Sequence, residues 1–315
     1  MTGTLSRHAW TLGLAALLAL LLVATKLIQP DFGASGLDSL ARAALPFAFA
    51  TAAMAIVVIA GGIDLSIAAM MAVASVTAAV LMERFPGLGP GIVPVALLTG
   101  AAMGALNGAL IVLTRLPDIV VTLAMLFVWE GVALLILNAP GGAAYPWLME
   151  VLRGAVVIPL LPGAVVVAVV CILPFWWIMA RTRLGLAIRA IGSDPVAAFR
   201  SGVPIGATRI LAYGLAGMLA GLGGLSLALS TGIGEPIPGP YLLAAVAAVV
   251  LGGVALSGGK GGLIGPLIAV LILRLVRLML TLLSVDPNVT TIVEGTIMVA
   301  VVMFGGFVAL RAQRR

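Results

Sequence analysis

AALPFAFATAAMAIVVIAGGIDLSIAAMMAVASVTAAVLM, residues 43–82, contains one charged residue, Asp64. Wound as α-helix at about 1.5 Å per residue, the stretch extends roughly 60 Å. That is two crossings of a hydrocarbon core about 30 Å thick, with nothing left over for a loop. Asp64, with Ser66 beside it, therefore lies in or near the membrane at the joint between two spans. A carboxylate there is costly and needs a partner or water. Gly61 and Gly62 can break the helix and free backbone groups beside a cavity, as transporters do. A plain helix cap by Asp64 is the simpler alternative.

Further apolar runs of the same length flank this stretch. Spans are predicted near residues 10–29, 43–61, 63–82, 91–113, 117–138, 157–180, 207–231, 241–256, 262–284 and 289–310. The composition agrees: 63% of the 315 residues are hydrophobic and 9% charged, against about 25% charged in soluble domains. The predicted fold is an all-α, polytopic transmembrane bundle of about ten helices, a single domain over residues 1–315. The run at 10–29 follows Arg7 as a signal peptide would, but its length and the lack of a small-residue cleavage site make it a retained first span.

The charges orient the bundle. Arg181, Arg183, Arg189, Arg200 and Arg209 fall between the sixth and seventh spans; Arg7 precedes the first, and Arg311, Arg314 and Arg315 follow the last. Arg115 and Lys260 occupy two further even-numbered breaks, whereas Asp31, Asp38, Glu83, Glu150, Glu235 and Asp286 lie in the opposite ones. An excess of basic residues marks cytoplasmic loops, so both termini and the loop 181–206 are expected in the cytoplasm, and the loop 139–156 outside. The net charge of +6 has this explanation, and nucleic acid is excluded as a partner. Cys171 and His8 are the only residues of their kinds, which rules out a zinc cluster.

Within the cytoplasmic loop, RTRLGLAIRAIGSDPVAAFRSGVP (181–204) carries signals for a short helix. Ser193 or Asp194 can cap its start, Pro195 suits its first position and Gly202 its end. A capped helix near 195–201, basic overall and with small or apolar Ala197, Ala198 and Phe199, suits docking into another protein's groove. The segment LGGVALSGGKGGLIGP (251–266) superficially resembles nucleotide-binding loops. Its spacing misses the phosphate-loop pattern, and spans flank it on both sides, so Ser257, Gly258, Gly259 and Lys260 belong to a glycine-rich cytoplasmic turn. Gly100, Gly104 and Gly108, and likewise Gly217 and Gly221, recur every four residues and allow close helix packing, within the subunit or between subunits.

Taken together, these segments resemble the permease subunits of bacterial ABC importers of the ribose/xylose/galactose type, a group within the branched-chain amino acid/ribose permease superfamily. GGIDLSIAAMMAV (61–73), Leu106-Asn107-Gly108 followed by LPDIVVTLAML, the loop 181–203 and LGGVALSGGKGGLIG all match family motifs, in order, over about residues 40–310. The resemblance implies the type II importer fold and a dimer with a second copy or a paralogue. It implies a cytoplasmic ATPase that holds ATP and Mg, with no cofactor in this chain, and a periplasmic solute-binding protein. It implies contact with the ATPase through Arg189, Gly192, Ser193, Asp194, Pro195, Ala197, Ala198, Arg200 and Gly202. It places Asn107 with Asp64 and Ser66 on the solute path or in an intramembrane polar network.

Four charges depart from the family pattern. Glu130 and Glu294 stand where the family has bases, and Arg274 and Arg277 where it has small or amide residues. Their signs cancel, so pairing inside the bundle is expected, Glu130 with Arg274 foremost; contact with solute is the alternative. The expected function is an importer permease, not an enzyme, in the bacterial inner membrane. Its solute is a sugar or a sugar-like molecule, or else a nucleoside, polyol or amino acid. An ion-coupled secondary transporter is the competing class.

Overall fold

In a computed structural model, residues 2–153, 161–237 and 239–313 are described, and no strand occurs among them. The helices are α1 (Thr2–Ile28), α2 (Ala34–Ile59), α3 (Ile67–Arg84), α4 (Ile92–Thr114), α5 (Asp118–Ile136), α6 (Pro146–Leu152), α7 (Gly163–Arg181), α8 (Arg183–Ser193), α9 (Pro195–Arg200), α10 (Ile205–Thr231), α11 (Tyr241–Leu251), α12 (Ile264–Leu282) and α13 (Pro287–Gln313). Eight of these, α1 to α5, α7, α10 and α12, are long and apolar enough to cross a membrane. With α11 and α13 they make the ten segments expected, and α6, α8 and α9 lie between them.

One expected span is cut short. The sequence predicts apolar helix over 241–256, but α11 stops at Leu251, because Gly252 and Gly253 end it, Gly253 in the left-handed region at φ 82°. Its 11 residues extend roughly 16 Å, about half a hydrocarbon core. Irregular chain then fills 252–263 up to α12.

The core forms around the part of α2 after Arg42, which is apolar on every side; such a helix belongs inside a bundle. Residues 50–59 are each at most 1% exposed, enclosed by α3, α7, α10, α11 and α12. The glycine stripes work within the subunit. A methyl group on Gly100 or Gly104 would collide with the backbone of Gly217 or Tyr213, and one on Gly221 with the carbonyl of Ala96. Backbones of α4 and α10 are therefore in direct contact, as small residues at four-residue spacing permit.

The bundle has two ends of different character. At one end lie Arg115, the α8–α9 segment, Arg209 and Lys260, and the start of α1 joins them through the Trp10 indole N–H, which donates to the Leu251 carbonyl at 2.9 Å. We call this the basic end; α13 runs back towards it, and Arg314 and Arg315 lie outside the described residues. At the far end, Gly141 and Gly234 exchange backbone hydrogen bonds at 3.1 and 2.7 Å, and Ala144 N–H donates to the Gly232 carbonyl at 2.9 Å. The short helix α6 (Pro146–Leu152) lies there, within the loop 139–156.

Candidate functional site

Three segments that are far apart in sequence meet at the basic end. The chain leaves α2 through Gly61 at φ 85°, and the turn before α12 passes through Gly258 at φ 84° and Gly259 at φ 72°, conformations that favour glycine. Gly259 N–H donates to the Ile59 carbonyl at 2.9 Å, capping an orphan group at the end of α2. Gly192, near the end of α8, is wedged between them, and any side chain there would strike the Ile59 carbonyl and the Gly259 nitrogen. Gly258 likewise touches Gly61 and Gly192, and Gly259 lies against Ser193. Arg189 fixes the third side: its Nη1 donates to the Gly261 carbonyl at 2.7 Å, and it reaches the Met179 carbonyl at the end of α7 at 3.4 Å. Ser257 and Lys260 stay on the exposed rim of the turn.

Helix α9 projects from this junction. Asp194, rather than Ser193, caps it: Oδ1 accepts from Val196 N–H at 2.9 Å and Ala197 N–H at 3.0 Å. Pro195 takes the first position, and Gly202 at φ 80° ends the turn, with Val203 N–H closing onto the Ala198 carbonyl at 3.0 Å. The exposed face carries Val196, Phe199 (70% exposed) and Arg200. Of the three small or apolar residues singled out, Ala197 and Phe199 are exposed, whereas Ala198 is turned inward at 4% exposure and Val196 joins the outer face in its place.

The joint around Asp64 lies beside this junction. Asp64 Oδ1 accepts from Ser66 N–H at 2.8 Å and from the Ser66 hydroxyl at 2.6 Å, an Asx turn leading into α3 rather than a cap on its first turn. Asn107 Nδ2 donates to Ser66 Oγ at 2.7 Å, and the Trp129 indole N–H donates to Asn107 Oδ1 at 3.2 Å. Thr122 accepts from Leu65 N–H and donates to the Ile63 carbonyl. Asp64, Ser66 and Asn107 thus come together as anticipated, all fully buried. Asp64 Oδ2 has no partner among the described residues. The carboxyl sits between α2 and α3, outside both spans; burial pushes it up to about 6, with the Ser66 and Asn107 hydrogen bonds pulling down and the Asp118 charge adding to the rise.

Asp118, Tyr213, Thr122 and Trp129 were not singled out from the sequence. The Tyr213 hydroxyl donates to Asp118 Oδ2 at 2.8 Å, and Arg209 stands 3.6 Å from Asp118 Oδ1. Both groups press on Gly62, which has no room for a side chain. After Pro117, Asp118 resembles an ordinary acid in a first helical turn, and its partners lie on α10, more than ninety residues away.

The four departing charges divide. Arg277 Nη1 reaches Glu294 Oε2 at 3.3 Å. Arg274 lies over the Phe47 ring, 5.0 Å from its centroid, with its Nε buried and unpartnered among the described residues. The expected pair of Glu130 with Arg274 does not form: Glu130 is on α5, which packs on α3 and α4, whereas α12 packs on α1, α2, α11 and α13. Among the described residues Glu130 has no ion pair.

The family model described as "Branched-chain amino acid transport system / permease component" matches residues 36–302. The chain is 29% identical to proteins named "Autoinducer 2 import system permease protein LsrD" from Escherichia coli strain K12 and from Shigella flexneri, over 98% of this chain and 95% of each relative. No solved structure matches it.

Proposed function

The chain belongs to the family of permease components of branched-chain amino acid transport systems, and we propose that it is the membrane subunit of an ATP-driven importer for a sugar or sugar-like small solute. The junction of Ile59, Gly192 and Gly259 carries this reading. It ties α9, the exposed and doubly capped helix, by backbone contact to the end of α2 and to the joint that holds Asp64. A force applied to α9 by a cytoplasmic ATPase would reach the end of α2 and the Asp64 joint through backbone contacts. The four motifs shared with sugar-importer permeases and the similarity to autoinducer 2 import permeases supply the direction and class of transport.

In this reading ATP and Mg are held by the partner ATPase, whose groove receives Val196 and Phe199. A periplasmic binding protein delivers solute to the far end, and a second permease, identical or paralogous, completes the path. The basic end faces the cytoplasm, consistent with the loop charges. The test is reconstitution with the ATPase and binding protein encoded beside the gene. Phe199→Asp should remove solute-stimulated ATP hydrolysis while leaving the melting temperature of the permease unchanged; retained stimulation would reject α9 as the coupling element. Uptake driven by a proton gradient without ATP would instead favour an ion-coupled carrier built on the unpaired Asp64 oxygen.

A further inference from the structure

A cavity of about 260 Å³ opens between α2, α11, α12 and α13, lined among others by Phe47, Tyr241, Arg274, Arg277 and Glu294. Gly239 and Pro240, from the far-end loop, line it as well. Arg274 stands eight residues before the last residue of α12, Leu282, so it lies about 12 Å below that helix end. The charged side chains do not balance. Two guanidiniums face one carboxylate, and the Arg277–Glu294 contact accounts for one of them. Arg274 retains a charge with no anionic partner among the described residues. Phe47 covers one face of its guanidinium, an attraction that satisfies none of its N–H donors. Apolar residues Leu273, Val276 and Ile297 complete the wall.

We propose that this cavity is a solute-selecting site for a small polyhydroxylated molecule bearing one negative charge, such as the carboxylate of a sugar acid. The inference deepens the reading of the chain as a sugar-type permease and rests on it. An unneutralised cation among apolar walls is expensive, and a monoanion removes that cost where a neutral sugar cannot. The anion's oxygens accept from the Arg274 fork, which matches a carboxylate in two parallel hydrogen bonds. The Tyr241 hydroxyl, close enough to Arg274 to share its donors, and the Arg277–Glu294 pair offer a donor–acceptor rim for hydroxyls. A site built around a charged group rejects the analogue lacking it far more strongly than an apolar pocket rejects a size mismatch.

The experiment uses the full chain alone, in nanodiscs of zwitterionic lipid, with melting followed against ribonate, gluconate and galacturonate, each beside its neutral parent sugar, and against inorganic phosphate. At least one acid should raise the melting temperature while its parent does not. Glu294→Gln, which leaves two unopposed cations, should tighten that acid about tenfold, near 1.4 kcal/mol. Arg274→Gln should abolish the shift, and the double change Arg277→Gln with Glu294→Gln, which restores a single net positive charge, should keep it. Equal shifts from parent sugars, a shift from phosphate alone, or no response to Glu294→Gln would each overturn the proposal. So would competition by phosphatidylglycerol in the disc, which would assign the charge to a lipid headgroup. Crosslinking that joins Arg274→Cys to a second copy's acidic residue would overturn it too. Since no ATPase is present, failure of α9 as the coupling element leaves this result untouched.

Discussion

Where Ile59, Gly192 and Gly259 meet, backbone touches backbone with no side chain between, whereas around Arg274 long side chains line a cavity with room to spare. The first region accepts no change of residue, because each glycine is fixed by a left-handed dihedral or by a neighbouring carbonyl. The second can exchange a charge without moving a helix. A coupling joint must transmit displacement, and close-packed backbone does so with little slack. A selectivity site must differ between proteins that share a mechanism, and side chains in a cavity can. Of the four charges that the sequence places within the spans, Arg274, Arg277 and Glu294 line the cavity, and none of the four is at the joint.

The largest effect that could break this contrast is Gly192→Ala. The added methyl meets two backbone atoms, which cannot rotate away. Overpacking of this kind costs about 1–3 kcal/mol, and transport should be lost along with coupling to ATP hydrolysis. Gly131→Ala is the matched control, since nothing lies within 4 Å of the new methyl and alanine gains about 0.5–1 kcal/mol over glycine inside a helix. Normal transport by Gly192→Ala in proteoliposomes would show that the joint is looser than its contacts imply.

The second effect is a dependence on pH. Burial pushes the Asp64 carboxyl up to about 6, so the folded protein holds its proton more tightly than the unfolded chain does. Its contribution to stability is complete below about pH 4, where both states are protonated, and is lost as the pH rises through 6. The change is at most about 3 kcal/mol. Asp64→Asn should flatten the melting temperature between pH 4 and 7, and an unchanged slope would move the titration to another group.

Much of this was legible in the sequence. The all-α bundle of apolar spans (though not the short length of α11), the joint at Gly61–Asp64 and the capped helix at 195 follow from periodicity, span length and turn chemistry, which are local. Local pattern also placed Gly192, Ser193, Gly258 and Gly259 at one end of the bundle. Their meeting with Ile59 could not be read, because it is set by how helices distant in sequence pack. For the same reason Asp118 and Tyr213 passed unnoticed: each is unremarkable in its own segment, and only the approach of α5 to α10 at Gly62 gives them meaning. Ala198 was misjudged because a six-residue helix shows too little periodicity to tell its inner face from its outer one.

The smallest predicted effect concerns the pairing that charge cancellation alone suggested. Glu130 and Arg274 have opposite signs and similar depth in their spans, so a sequence argument joins them. The structure sets them on helices that pack in different parts of the bundle. Glu130→Gln and Arg274→Gln should therefore be additive in melting experiments, within about 0.5 kcal/mol, as residues without a shared partner are. The Arg277→Gln and Glu294→Gln cycle should instead show coupling of about 0.5–3 kcal/mol, because those side chains are in contact. The two cycles must be measured on the isolated chain, so that a second copy cannot supply a partner for Glu130. Coupling in the first cycle with additivity in the second would reverse the charge assignment, returning Arg274 to a structural pair and emptying the cavity of its unopposed cation.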